Sequence, residues 1–167
     1  MIYLIQLKYF IFFNQYPKRK MKILFVCTGN TCRSPMAAAY FSRLCKNAER
    51  DDVIVRSAGT FAGNGVPASG NAVKVMRDYG IDLENHRSKV LTRELLEDTD
   101  HVFTMTEGHR LQVMSIYPQA GEKTRLLMDF YDGGDVADPF GGSYDLYKDC
   151  FEQMKAALDS LFEQLIS

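Results

Sequence analysis

A three-layer α/β fold, with a four-stranded parallel sheet flanked by helices, is predicted from three features of the sequence. From residue 21 onward short apolar runs alternate with stretches of helical character. The runs are only four to six residues long, the length of buried strands. The segments between them are long enough for crossover helices, which parallel strands require. At 167 residues the chain is the size of one domain, and its 46% hydrophobic and 25% charged residues suit a packed globular core and exclude a disordered chain.

Residues 22–27 (K-I-L-F-V-C) read as the first buried strand. A Gly-containing loop follows, then a helix over 34–46 with Pro35 in its first turn, where proline's missing N–H costs nothing. Residues 53–57 repeat the strand signal. A helix over 67–79 is closed by Gly80, and a shorter one over 92–98 has Thr92 as its cap. Residues 101–105 give the third strand, 107–117 a helix ending before Pro118, and 124–127 the fourth strand. The last helix spans 144–165, with Tyr147, Phe151, Met154, Leu158, Phe162 and Leu165 on one face. Before it, residues 129–143 (D-F-Y-D-G-G-D-V-A-D-P-F-G-G-S) are too rich in Gly and Asp to be regular. That loop and the first strand-to-helix turn both leave carboxyl ends of strands, the edge at which open parallel sheets bind ligands, so the two should face each other.

Residues 1–20 stand apart. Their apolar run of about thirteen residues is too short to span a bilayer. Its basic residues follow the run instead of preceding it, and no small-residue cleavage site appears, unlike a secretory signal. The expectation is an extension, disordered or translated only from an over-called upstream start, ahead of a single domain at 21–167. A weak membrane-surface or partner-binding segment is the alternative. Beyond residue 20 the chain carries 16 basic and 21 acidic residues, a net charge of -5, which disfavours nucleic acid as a partner. No stable membrane association is expected. Cys27, Cys32, Cys45 and Cys150 are too few for a disulfide scaffold and lack C-x2-C spacing, and His86, His101 and His109 form no H-x3-H pair. These patterns point to a reducing, cytoplasmic setting and to neither a metal nor a cofactor.

The segment Cys27-Thr28-Gly29-Asn30-Thr31-Cys32-Arg33-Ser34-Pro35 has the make-up of an anion cradle. Loop amides without helical partners converge, and the positive end of the following helix adds to their field. Gly29 and Asn30 tolerate the positive φ that turns amides inward. Arg33 offers a two-pronged donor to two phosphate oxygens. Within such a field Cys27 should ionise well below its free value of about 8.5 and act as a nucleophile, with Ser34 donating to its sulfur.

These residues resemble the signature V-C-x-G-N-x-C-R-S-P of the low-molecular-weight protein tyrosine phosphatases, matched at each fixed position by residues 26–35. The resemblance continues through V-R-S-A-G at 55–59, N-H-R-S at 85–88 and D-P-F-G-G at 138–142. It implies a cysteine-dependent protein phosphatase working through a phosphocysteine, with Cys27 as nucleophile, Arg33 and the loop 28–34 binding phosphate, and Asp138 as general acid and then base. It further implies a polar network of Asn30, Ser34, Ser57 and His86 bracing the loop, with His86 a brace and not a base. Phe140 and Phe61 would wall the entrance, and Cys32 would trap oxidised Cys27 as a disulfide. Asp129, Asp132 and Asp135 are read as solvated, and Cys45 and Cys150 as buried thiols. Substrates would be phosphorylated proteins and the enzyme a monomer. Thr31 matches the family's arginine-phosphatase branch, which implies phosphoarginine as substrate, with phosphotyrosine the alternative. Two rivals are an arsenate reductase, for which residues 46–149 lack the relay cysteines, and a non-catalytic phosphate-binding module.

Overall fold

Strand β1 (Met21–Cys27) takes the centre of the sheet because it is apolar on both faces, and Ile23, Leu24, Phe25 and Val26 are wholly buried. The computed structural model describes residues 19–166, so most of the predicted extension lies outside the described residues. β2 (Val53–Gly59) and β3 (His101–Thr104) flank β1, and β4 (Thr124–Leu126) follows β3, giving the all-parallel order β2-β1-β3-β4. The helices are α1 (Arg33–Asn47), α2 (Gly70–Asp78), α3 (Arg93–Glu97), α4 (Glu107–Ile116) and α5 (Tyr144–Leu165).

Alternation along β1 sends Ile23, Phe25 and Cys27 to one face and Leu24 and Val26 to the other. The first face packs on α1, α2 and α5, and the second on Leu91, Leu96, Val113 and Ala120. The α5 stripe buries Tyr147, Phe151, Met154 and Leu158 as the periodicity predicts. Leu161 joins them, whereas Phe162 and Leu165 are only partly buried.

Element boundaries move where local chemistry dictates. The helix predicted from residue 67 starts at Gly70, because Ser69 caps it by accepting the Ala72 amide proton and Pro67 is drawn into an isolated bridge with Arg87. The first helix begins at Arg33, one residue earlier than predicted. Thr92 caps α3 as expected. Short 3-10 segments at Pro118–Lys123 and Leu127–Phe130 have no counterpart in the sequence reading.

Two features carry this frame into the site. Register places Gly59 of β2 opposite Cys27. A Cβ at residue 59 would lie 2.4 Å from the Thr28 carbonyl oxygen and 2.9 Å from the Asn30 nitrogen, so glycine is what lets the loop after β1 settle on β2. At the same sheet edge the 129–143 loop is tied down where the Val136 amide donates to the Met105 carbonyl.

Candidate active site

The loop after Cys27 keeps its shape through Asn30, the one described residue between β1 and α1 with positive φ (53°). Gly29, predicted to share that conformation, does not adopt it. With its backbone turned this way, Asn30 points its amide N–H at Cys27 Sγ (3.3 Å). Its side chain donates to Ser34 Oγ (2.8 Å) and Ser57 Oγ (2.9 Å) and accepts from the Lys89 amide (2.9 Å). Its carbonyl accepts from His86 Nε2 (2.7 Å). A carbonyl can only accept, so Nε2 carries the proton, and burial lowers this imidazole from its ordinary value. The structure thus gathers all four predicted brace residues and adds the Lys89 backbone.

Cys27 Sγ lies buried, 3.0 Å from Ser34 Oγ. Ser34 accepts from Asn30 and keeps its own proton for the sulfur or, at 3.4 Å, the Ala58 carbonyl. The expected depression of this thiol is not what the balance of contacts gives. Burial is the largest influence and pushes the thiol above its ordinary value, while Ser34, the Asn30 amide and the Arg33 charge pull it down. Among the opposing influences the Ser34 hydrogen bond is the largest. Ser34→Ala should therefore move the pH midpoint of Cys27 alkylation upward by about one unit, the worth of one hydrogen bond to a charged sulfur. An unmoved midpoint in the alkylation profile would remove Ser34 from control of the thiol. Cys45 and Cys150 are pushed up to about 11 and about 12 by burial.

Arg33, in the first turn of α1, is nearly buried. Its Nη1 donates to the Val136 carbonyl (3.2 Å), and its Nη2 meets Asp138 Oδ2 at 2.9 Å. Asp138 is half-exposed, and its other oxygen accepts the Phe140 amide proton (3.2 Å). The two loops predicted to face each other therefore touch through an ion pair. The pocket between them is lined by Cys27, Thr28, Gly29, Thr31, Cys32, Arg33, Asp138 and Phe140. Phe140 stands exposed at its mouth. Phe61, expected beside it, does not line the pocket; it is exposed, and its backbone amide donates to the Thr28 carbonyl (3.0 Å). Of the predicted solvated carboxylates, Asp129 accepts from the Leu126 amide and Asp135 from the Glu107 amide, so both are exposed but serve as loop fasteners.

Cys32 is buried with its sulfur 3.2 Å from Tyr147 Oη and 3.4 Å from Ser69 Oγ. Burial, together with that sulfur contact, pushes the Tyr147 hydroxyl up to about 12. The sequence reading placed Tyr147 only in the α5 core stripe; its signal was a polar tip on an otherwise apolar face. His109, unassigned there, also reaches the loop, from the first turn of α4.

Residues 22–167 match the family described as low molecular weight phosphotyrosine protein phosphatase. The chain belongs to this family. It is accordingly a cysteine-dependent phosphatase, with the four-stranded parallel sheet of the family's solved members. Among its relatives is a protein-arginine-phosphatase of Geobacillus stearothermophilus, 44% identical over 146 residues, covering 86% of this chain and 95% of that protein. The low molecular weight protein-tyrosine-phosphatase PtpB of Staphylococcus haemolyticus is 37% identical, covering 80% and 92%. A solved structure of the YwlE arginine phosphatase, a cysteine-to-serine mutant with a phosphorylated active-site serine, superposes with a TM-score of 0.82 at 42% identity, covering 87% of this chain and 95% of that one.

Proposed function

We propose that the enzyme removes phosphate from phosphoarginine residues of proteins, with Cys27 as nucleophile, Arg33 and the loop amides as phosphate ligands, and Asp138 as the acid–base group. The Cys27 thiolate attacks phosphorus in line, forming the S–P bond as the P–N bond breaks. Asp138 gives its proton to the departing guanidine nitrogen. Water then attacks phosphorus, Asp138 takes its proton, and the S–P bond breaks to return thiolate and inorganic phosphate. Charge on the equatorial oxygens is met by Arg33 and the amides of residues 28–33.

The observation that carries the substrate reading is Thr31. It lines the pocket, half-buried, and holds its hydroxyl 3.6 Å from Cys32 Sγ. A hydroxyl there offers a polar partner to a planar guanidine, whereas an aliphatic side chain would leave those N–H groups unpaired and favour an apolar ring. Two relatives 44% identical are named for arginine, and the acidic surface suits arginine-rich segments. On matched peptides, kcat/KM should favour phosphoarginine, and Thr31→Ile should shift the ratio toward phosphotyrosine by about tenfold, the worth of one buried unpaired donor. A wild type that prefers phosphotyrosine, or an unchanged ratio, defeats the arginine assignment and leaves the phosphatase standing.

In this reading the enzyme acts as a cytoplasmic monomer, and Cys32 answers for oxidative damage. Peroxide should convert Cys27 to a sulfenic acid that Cys32 captures as a disulfide, cleared by thiol. Intact-mass analysis finding Cys27 carried on to sulfonic acid with Cys32 free would exclude that protection.

A further inference from the structure

The Thr28 side chain is unused by this chemistry. Thr28 follows Cys27, lines the pocket, and has its Oγ1 2.8 Å from His109 Nε2. His109 is buried, and its Nδ1 lies 2.9 Å from Oγ1 of Thr106, the cap of α4. That same oxygen accepts the His109 amide proton at 3.2 Å.

The three groups form one chain, and the tautomer of His109 sets its direction. Burial pushes the imidazole down to about 4, with the Arg33 charge helping and Asp138 and Asp135 opposing, so the ring is neutral and carries a single N–H. The Thr106 oxygen receives the His109 amide proton and keeps a second lone pair, so it can either accept from Nδ1 or donate to it; where its hydroxyl donates to Nδ1, the ring proton is left for Nε2. The ring proton then sits on Nε2 and is donated to Thr28. With its oxygen accepting on the protein side, Thr28 has one O–H left, on an exposed residue that lines the pocket.

We infer that His109 is a positioning residue that, held by Thr106, fixes the Thr28 hydroxyl as a donor to a non-bridging oxygen of the bound phosphoryl group. This rests on the phosphatase reading and adds to it a side-chain ligand beyond Arg33. Thr28 sits beside the nucleophile, and its hydroxyl joins the ligands that meet charge on the equatorial oxygens. Because the ring is already neutral, His109 orients without exchanging a proton during turnover.

Inorganic phosphate is the probe. Thr28→Val and His109→Phe should each raise its inhibition constant about fivefold to tenfold, the loss of one charge-assisted hydrogen bond. The double variant should be no worse than either single one, since both remove the same bond. Thr28→Ser should restore phosphate affinity to near wild type. In 15N spectra of the wild type, His109 should show the Nε2–H tautomer throughout pH 6–8. An unchanged inhibition constant for Thr28→Val, additive losses in the double variant, or the Nδ1–H tautomer overturns the inference. Should His109→Phe melt early, Thr28→Val and the tautomer decide the matter. Failure of the underlying reading looks different: the wild type itself would neither hydrolyse an aryl phosphate nor bind phosphate.

Discussion

Cys27→Ser should lower turnover by about a thousandfold or more while leaving phosphate binding within about threefold of wild type, because a hydroxyl ionises far less readily than a thiol but occupies the same place in the cradle. The loop does not depend on the sulfur for its shape. Asn30 is held by Ser34, Ser57, the Lys89 amide and His86, and none of those bonds involves Cys27. Steady-state rates on an aryl phosphate, paired with calorimetric titration of phosphate, separate the two quantities. Turnover surviving at a tenth of wild type would take Cys27 out of the mechanism. Loss of binding together with turnover would mean instead that the sulfur holds the cradle together.

Asp138→Asn should act in opposite directions on turnover and on phosphate affinity. Without a proton to give, kcat for a poor leaving group such as a guanidine should fall about a hundredfold, while an activated phenol, which leaves without help, should lose less than about tenfold. Phosphate should bind more tightly, because Asp138 Oδ2 sits 2.9 Å from Arg33 Nη2 and an incoming phosphate must take that guanidinium from it. The pair is one-sided in exposure, with Arg33 nearly buried and Asp138 half in solvent, so most of the gain comes from freeing the arginine. Equal losses across leaving groups would argue against proton donation. Unchanged phosphate affinity would mean that the ion pair does not compete with substrate.

Much of this site was legible because its chemistry is local in sequence. Cys27, Asn30, Arg33 and Ser34 fall within eight residues, and the strand before them and helix after them carry ordinary periodic signals. Asp138 was legible through the proline that follows it. What escaped depends on tertiary approach. Nothing in the residues around Gly59 says that its α-carbon must pass within a side chain's width of Thr28. The contact of Tyr147 with Cys32 was hidden because five other residues on its helix face repeat the same apolar pattern. His109 belongs to a T-x-x-H helix start that reads as a cap, and only the adjacency of β3 to β1 brings that start against the cradle. For a related reason the sequence does not show what opposes ionisation of Cys27: loop amides and the arginine are visible in it, whereas burial is a property of the folded pocket.

Asn30 also has a bearing on how activity arises during folding. Its partners Ser57, His86 and Lys89 lie 27, 56 and 59 residues further along the chain. The left-handed turn that aims its amide at the sulfur is one asparagine tolerates, and those distant groups hold it in place. A nascent or partly assembled chain can therefore present the whole C-x5-R motif and still lack a cradle. The cradle is complete only where β2 and the 86–89 segment have docked against the loop, contacts that are distant in sequence and so carry a loop-closure cost. In that sense the phosphatase is switched on by completing its own fold.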